Sequence, residues 1–169
     1  MKDTIRKIEL SQGYYALVDA SDYEELNKYK WSAKKCDKNY YVYREKYLGI
    51  EKGKQKSLPI YMHRYLMGLK KGDKRQVDHI NHNTLDNRRC NIRIVTLSQN
   101  HMNRIKHKGH TSIYKGVHYF PRDNNWRAQI KGANRPIHIG YYKTQKEAAK
   151  AYDKEAKKYF GEYAKLNFE

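Results

Sequence analysis

The hydrophobic residues of this chain fall mostly into short alternating runs between polar turns, a pattern that predicts strands more than long helices. In the first third of the chain these runs are residues 14–18, 29–31 and 40–44. Residues 22–26 fit one short helical turn, and residues 49–57, GIEKGKQKS, predict a polar loop. We therefore expect a β-rich amino-terminal region.

The middle of the chain predicts a strand, a loop, a second strand and a helix in close succession. A short helix with apolar residues at 62, 65 and 66 comes first and should end near Gly68. Residues 76–80 and 92–95 are strand-like, and residues 81–91 form a polar connection between them. Thr96, with Gln99 three residues later, fits a capping box, so a helix should begin there.

The last block of the chain predicts three strands followed by an amphipathic helix. The strands are residues 114–120, 126–131 and 136–142, and a second capping box, Thr144 with Glu147, opens the helix. Alternation gives the strands an apolar face, formed by Val117, Ala128, Ile130, Ile137 and Ile139. The helix stripe contains alanines at 148, 149 and 156, which allow close packing on that face. The opposite, basic face is left open, and we expect it to meet DNA.

Composition favours a polyanionic partner. Among 169 residues, 36 Lys and Arg stand against 18 Asp and Glu, giving a formal net charge of +18. No stretch approaches the length of a membrane-spanning helix, and the first residues lack the apolar core of a signal peptide, so we expect a cytoplasmic, non-secreted protein. Cys36 and Cys90 belong to no C-x-x-C pair, so no zinc site is expected. A basic protein without a nucleic-acid role is the alternative at this level.

One segment carries candidate chemistry. Asp78 offers a carboxylate oxygen and Asn100 an amide oxygen, a donor pair that suits one Mg²⁺ or Mn²⁺ ion with positions left for water and phosphate. His79 is a candidate general base for water attacking phosphorus. Alone, an Asp-His pair is common, and Asn100 could be a solvated helix residue. Asn91 should tie the connecting loop together, and His63 should pack beneath the site, with a phosphate contact as the lesser option.

The motifs resemble the HNH endonucleases with a ββα-metal core, and in pattern most closely the phage and bacterial homing-type enzymes. The motifs are MHR at 62–64, VDHIN at 77–81, LDNRRCNIRIVT at 85–96 and SQN at 98–100. The resemblance implies that Asp78 and Asn100 bind the metal and that His79 is the general base. It makes Asn91 the middle Asn of the motif. Asn100 stands where the usual motif has His, as in many homing members.

The last block is similar to the AP2/ERF-type DNA-binding domain, in which a three-stranded sheet enters the major groove with a helix behind it. The similarity rests on YKGV (114–117), WRAQI (126–130), IHIGYYKT (137–144), EAAKAYD (147–153) and GEYAKLNF (161–168). It implies DNA contacts near five residues, Lys115, Arg127, Gln129, Lys131 and His138. Where the pattern has arginines in its first strand, this chain has Lys115 and His118, which weakens bidentate recognition of guanine.

These observations predict an α+β protein in four parts. They are a β-rich region of the nuclease half (1–58), an HNH ββα-metal core (59–104), a basic linker (105–111) and an AP2-like three-stranded antiparallel sheet packed on one helix (112–169). Residues expected to contact DNA are Arg88, Arg89, Arg93, Arg104, Lys106, Lys108, Lys115, His118, Arg122, Arg127, Gln129, Lys131 and His138.

The predicted function is a metal-dependent endonuclease acting on double-stranded DNA. With one ion and one base per site, a monomer should nick one strand, and a second copy would be needed to cut both. No obligatory protein partner is evident. The resemblance implies a homing or mobile-element role in a bacterial or phage-infected cell. The main alternative is a DNA-binding regulator with a degenerate nuclease half; a structural or RNA-binding protein is a weaker one.

Overall fold

The computed structural model describes residues 4–105, 111–132 and 135–168, and these form a mixed α+β protein. The chain divides into two compact units, Met1–Leu97 and Ser98–Glu169. Each unit has its own buried apolar cluster. The division into four parts stays a prediction.

The first unit begins with a hairpin of β1 (Ile5–Glu9) and β2 (Tyr15–Asp19), followed by α1 (Ala20–Asn27). An antiparallel sheet comes next, formed by β3 (Ser32–Cys36), β4 (Asn39–Glu51) and β5 (Lys54–Tyr61) in that spatial order. The core of the unit lies between these elements and contains Ile8, Val18, Leu26, Trp31, Val42 and Met62. The indole nitrogen of Trp31 donates a 2.8 Å hydrogen bond to the carbonyl oxygen of Leu26, which satisfies its buried polar atom.

Two expectations for this region are wrong. Residues 49–57 are not a loop but the far end of the β4–β5 hairpin, which turns at Lys52 and Gly53. Both turn residues have positive φ (50° and 74°), the geometry of a two-residue turn whose twist matches the strands. Residues 29–31 are not a strand, because β3 begins at Ser32 and Trp31 makes only an isolated bridge to Leu10. Trp31 is apolar because it is buried in the core, and the alternation of apolar and polar residues does not distinguish this from a strand.

A second two-stranded sheet carries the candidate chemistry. After α2 (Met62–Leu66), which leads to Gly68 at φ 67°, the strands β6 (Gln76–His79) and β7 (Ile92–Val95) pair antiparallel. The helix α3 (Leu97–Asn103) follows directly. The order strand, loop, strand, helix is therefore the one that the sequence predicts.

The second unit contains an antiparallel sheet of β8 (Val117–Phe120), β9 (Asn125–Lys131) and β10 (Pro136–Tyr142), with β9 in the centre. The helix α4 (Gln145–Phe160) packs against this sheet, and its capping box between Thr144 and Glu147 is present as predicted. Val117, Ala128 and Ile130 are buried on the helix side. The sequence predicts that this first strand begins at residue 114, but β8 begins only at Val117, so the prediction is wrong for residues 114–116.

Gly116 should tolerate no side chain. Its φ is 74°, and an added Cβ would collide with the ring of Tyr152 and lie 2.7 Å from the carbonyl oxygen of Gln129. We expect Gly116→Ala to cost about 3 kcal/mol from combined backbone strain and overpacking. For a unit of this size that lowers the melting temperature by roughly 10–20 °C. Thermal unfolding followed by circular dichroism measures it.

Gly53→Ala is the matched control, because Gly53 has the same φ of 74° with nothing within 4 Å of an added Cβ. It should lose only the strain component, about 1 kcal/mol. Equal losses in the two variants would contradict the close packing at Gly116.

Candidate active site

The strand β6 presents Asp78 and His79 side by side, both nearly inaccessible at 7% and 5% exposure. Asp78 lies opposite Arg93 in the β6–β7 register. The Nη2 and Nε atoms of Arg93 donate to the Oδ2 of Asp78 over 3.0 and 3.2 Å. Asp78 is therefore held by a cation from the neighbouring strand.

The imidazole of His79 lies in an aromatic cluster beneath the strand. Its ring centroid is 5.2 Å from that of His63 and 6.3 Å from that of Tyr41. Burial lowers the pKa of His79 below its ordinary value, although the hydrogen bond that the ring donates to Asn87 and the charge of Asp78 partly oppose the change. The ring is therefore neutral near pH 7, as a general base requires.

Asn87 determines which ring nitrogen of His79 carries the lone pair. The amide Nδ2 of Asn87 donates to the carbonyl oxygen of Leu85 over 3.3 Å, which directs its Oδ1 toward Nε2 of His79, 3.4 Å away. Because an amide oxygen only accepts, this contact requires a proton on Nε2 and leaves Nδ1 unprotonated. Nδ1 is then the atom that can take a proton.

The loop between β6 and β7 is held by a network of buried polar groups. Asn91 accepts from the backbone N–H of Asn81 at 2.9 Å through Oδ1 and donates to the carbonyl oxygen of Asp86 at 2.7 Å through Nδ2. Asp86, 1% exposed, accepts two hydrogen bonds from Arg88, of 2.6 and 2.7 Å. Asn91 thus makes the loop-tying contacts expected from the sequence, in a network that also fixes the chain around Asn87.

The same loop is anchored to the first hairpin. The backbone N–H of Leu17 donates to the carbonyl oxygen of Leu85, and the N–H of Asn87 donates back to the carbonyl oxygen of Leu17, over 2.9 and 2.8 Å. The carboxylate of Asp19 accepts from the backbone N–H of Arg89 at 2.7 Å. The amino-terminal region, whose role the sequence leaves open, therefore supports the loop that positions His79.

His63, on α2, is 8% exposed, and its ring centroid is 5.8 Å from that of Tyr61. Burial, with the nearby His79 and Arg64, lowers its pKa from 6.5 to about 3. Its Nδ1 has no hydrogen-bond partner among the described residues. These contacts place the ring against His79 inside the first unit, which agrees with packing beneath the site.

The buried His63 should make the first unit sensitive to acid. Its folded pKa of about 3 lies below the unfolded value of 6.5, so as pH falls the unfolded chain takes up the proton first. The contribution of the neutral His63 to the free energy of unfolding is fully present above pH 6.5 and is lost as pH falls. About 2 kcal/mol of it is lost at pH 5. Urea unfolding at pH 7 and pH 5 should show a smaller loss for His63→Phe than for the unsubstituted chain. Equal losses would contradict the role of this imidazole.

Asn100 lies on α3, five residues beyond the end of β7 and within the range of the second unit. Its convergence with Asp78 on one ion stays a prediction. Within the described ranges, no group of three or more His, Cys, Asp or Glu side chains could hold a metal ion. An ion at Asp78 would therefore need amide, water or phosphate oxygens, the hard ligands that Mg²⁺ and Mn²⁺ accept.

The arginines expected to contact DNA in the first unit are all paired with carboxylates. Arg88 binds Asp86, Arg89 binds Asp22 through bonds of 2.7 and 2.8 Å, and Arg93 binds Asp78. Only Arg89 keeps a largely exposed side chain, at 55%. Their phosphate contacts stay predictions, and the geometry gives all three a structural role as well.

In the second unit, the sheet register places Arg127, Gln129 and Lys131 on the face of β9 opposite the buried residues. His118 and His138 flank them, and Arg122 is exposed in the following turn, while Arg104 is exposed just after α3. This basic face is the one expected from strand alternation. Lys106 and Lys108 lie outside the described residues.

Lys115 differs from these residues, because its ammonium donates to the carbonyl oxygen of Met102. Burial lowers the pKa of Lys115 to about 8. Its expected contact with DNA stays a prediction, but the contact to Met102 already gives it a partner inside the unit.

The sequence missed Asn87, Tyr41 and Asp86 as site residues. Asn87 and Asp86 lie in the same polar loop as Asn91, which the sequence did identify. Asn and Asp are common in turns, so neither residue indicates a site by itself. Tyr41 comes from a strand far away in the chain. The local signal was the Asp86-x-Arg88 spacing, since Asp two residues before Arg can pair within a tight loop.

Comparisons with known proteins show the family of this chain. A family model described as HNH endonuclease matches residues 61–102, which span α2, the β6–β7 hairpin and most of α3. An uncharacterized HNH endonuclease of Acanthamoeba polyphaga mimivirus is 30% identical over 161 residues, covering 92% of this chain and 76% of the viral protein. No solved structure gives a significant match. The chain belongs to the HNH endonuclease family.

Shorter matches point to plant proteins. APETALA2-like protein 2 of Oryza sativa is 33% identical over 61 residues, which cover 36% of this chain and 14% of the plant protein. The AP2-like ethylene-responsive transcription factor ANT of Arabidopsis thaliana is 40% identical over 60 residues, covering 34% and 11%. These matches give weak support to an AP2-like segment. Across the described residues, no helix is both long and apolar enough to cross a membrane.

Proposed function

We propose that this nuclease is a Mg²⁺- or Mn²⁺-dependent endonuclease that hydrolyses one phosphodiester of duplex DNA per site. The proposal is carried by one observation: the buried imidazole of His79 contacts the amide oxygen of Asn87 and follows the buried carboxylate residue Asp78 on β6. The basic excess of the chain and the open face of the β8–β10 sheet support DNA as the substrate.

In the proposed reaction, Nδ1 of His79 takes a proton from water while the water oxygen forms a bond to phosphorus. The bond from phosphorus to the 3′ oxygen breaks, and that oxygen takes a proton from solvent water, which leaves a 5′-phosphate and a 3′-hydroxyl. Asp78 and Asn100 would hold the divalent ion, which when bound stabilises the charge that develops on the departing oxygen. Asn87 keeps the proton on Nε2, so that Nδ1 stays available.

Conversion of supercoiled plasmid to open circle tests the proposal. Nicking should appear with Mg²⁺ or Mn²⁺, disappear with EDTA and return when the ion is restored. Linear product should follow only at protein concentrations where two copies can act near one another. Absence of metal-dependent nicking on DNA that the chain binds would refute the nuclease.

The Asp78–Arg93 ion pair favours a second candidate, a DNA-binding regulator that does not cut. Both side chains are largely buried, at 8% and 15% exposure, and the guanidinium donates to Oδ2, one of the two carboxylate oxygens that could bind an ion. DNA binding that persists without any metal-dependent nicking would support this candidate.

Arg93→Gln should distinguish a metal-binding carboxylate from a purely structural one. Losing the guanidinium leaves Asp78 buried without its cation and should cost about 3 kcal/mol in metal-free buffer. Mn²⁺ at millimolar concentration should restore more stability to this variant than to the unsubstituted chain, as measured by urea unfolding. The double variant Asp78→Asn/Arg93→Gln, which lacks the carboxylate, should gain nothing from Mn²⁺. An equal gain in both variants would place the ion elsewhere.

A further inference from the structure

The far end of the β4–β5 hairpin, residues 45–58, projects without burying its side chains. Across this range most residues are exposed, and Gly49 and Leu58 are half-exposed. Seven residues of β4, five of β5 and the two-residue turn between them give the projection a length of roughly 20 Å. We call it the hairpin arm. It adds little to the core, so its length and composition require another explanation.

Large apolar side chains are exposed on the hairpin arm. Tyr47 is 60% exposed, Leu48 48% and Ile50 69%, all within four consecutive positions. Single exposed apolar residues are ordinary, but several grouped on a projecting element indicate a surface that is covered during function.

The register separates Tyr47 and Ile50 from most of the lysines. Tyr47 pairs with Ser57 and Ile50 with Gln55, which places them on one face, because the bulge between Tyr47 and Gly49 shifts the alternation. Lys46, Lys54 and Lys56 fall on the opposite face by the same alternation. Lys56 is paired with Glu51, and the described ion pairs do not include Lys46 or Lys54. The arm thus carries Tyr47 and Ile50 on one face and three of its four lysines, with Glu51 and Leu58, on the other.

We propose that the hairpin arm inserts into the major groove of DNA, an inference that rests on the proposed function. A two-stranded ribbon fits the width of that groove. Tyr47 and Ile50 would contact base edges and thymine methyl groups, while Lys46 and Lys54 reach the phosphates along the groove walls. The four lysines of the arm, against two glutamates, match a polyanion better than a second copy of this basic chain.

Photocrosslinking tests the proposal directly. The full chain carrying His79→Ala, to prevent cutting, receives the photoreactive residue p-benzoylphenylalanine in place of Tyr47. With a labelled 40-base-pair duplex at low salt, it should crosslink to DNA. The same substitution at Tyr159, a 53% exposed tyrosine on α4, is the control and should give at least tenfold less crosslink. Crosslinking to a second protein chain, or none on a duplex that remains bound, would overturn the proposal.

Binding measurements separate the two faces. Tyr47→Ser/Ile50→Ser should weaken duplex binding about tenfold without changing its salt dependence, since apolar contacts release no counterions. Lys46→Ser/Lys54→Ser should reduce the slope of log affinity against log salt by about 2. Ile5→Ser/Tyr159→Ser, which also removes two exposed apolar side chains, should change neither value. Equal affinity and equal salt slope in all variants would overturn the proposed insertion of the hairpin arm into DNA. A chain that binds no duplex at all would instead refute the proposed function.

Discussion

His79→Ala should nick plasmid DNA about 100- to 10,000-fold more slowly than the unsubstituted chain, the usual range for loss of a general base. The side chain is 5% exposed and neutral, so its loss should leave the affinity for duplex DNA nearly unchanged. Initial rates of open-circle formation and filter binding at equal salt measure the two quantities. Loss of both together would indicate a folding defect instead.

The control for this variant is His82→Asn, in the same loop three residues away. His82 has φ 63°, a backbone conformation that Asn tolerates, so the substitution removes an imidazole with little strain. It should nick at nearly the unsubstituted rate. Free imidazole added to His79→Ala should restore part of the lost rate, because it can replace the missing base in the space left by the ring. If His79→Ala itself nicks at the unsubstituted rate, the base is another residue or the activity comes from a contaminating nuclease.

The elements that the sequence predicted well have local signals. The capping box at Thr144 and the alanine-rich stripe of α4 are encoded within a few residues, and β7 ends where the alternation of Ile92–Val95 ends. The hairpin arm has no such signal, since its lysines and glycines fit a loop equally well. Its strands form because the pairing of Tyr43 with Tyr61 near the core continues outward along the ladder.

The candidate site divides in the same way. Asp78, His79 and Asn91 were visible because a compact motif holds them, and the structure places the first two on one strand with Asn91 in the adjoining loop network. The orientation of His79 depends on Asn87 and His63, which are brought to it by backbone contacts with Leu17 and by α2. The carboxylate partners of Arg88, Arg89 and Arg93 were equally hidden, because a charge count treats every arginine as free.

Asp86→Ala should be among the most destabilising substitutions in the first unit. Burial pushes the pKa of Asp86 upward, but the hydrogen bonds and charge of Arg88 outweigh it and keep the pKa low, so the residue is a buried carboxylate that depends on its partner. Asn81 adds a 2.9 Å hydrogen bond to the same carboxylate. Removing the carboxylate of Asp86 leaves the guanidinium of Arg88, whose side chain is 26% exposed, without a counter-charge. The free energy of unfolding should fall by about 3–5 kcal/mol. Urea unfolding measures the loss.

Asp22→Ala provides the comparison that isolates burial from geometry. Asp22 binds Arg89 in the same bidentate manner as Asp86 binds Arg88, with bonds of 2.7 and 2.8 Å, but the side chain of Arg89 is 55% exposed. Water can solvate that guanidinium once its partner is gone, so the loss should stay below about 1 kcal/mol. If the two variants lose equal stability, the burial of Arg88 is not the reason that its ion pair with Asp86 stabilises the loop. Because Asn87 and Asn91 lie in that loop, Asp86→Ala should also lower the nicking rate under conditions where the chain remains folded, whereas Asp22→Ala should not.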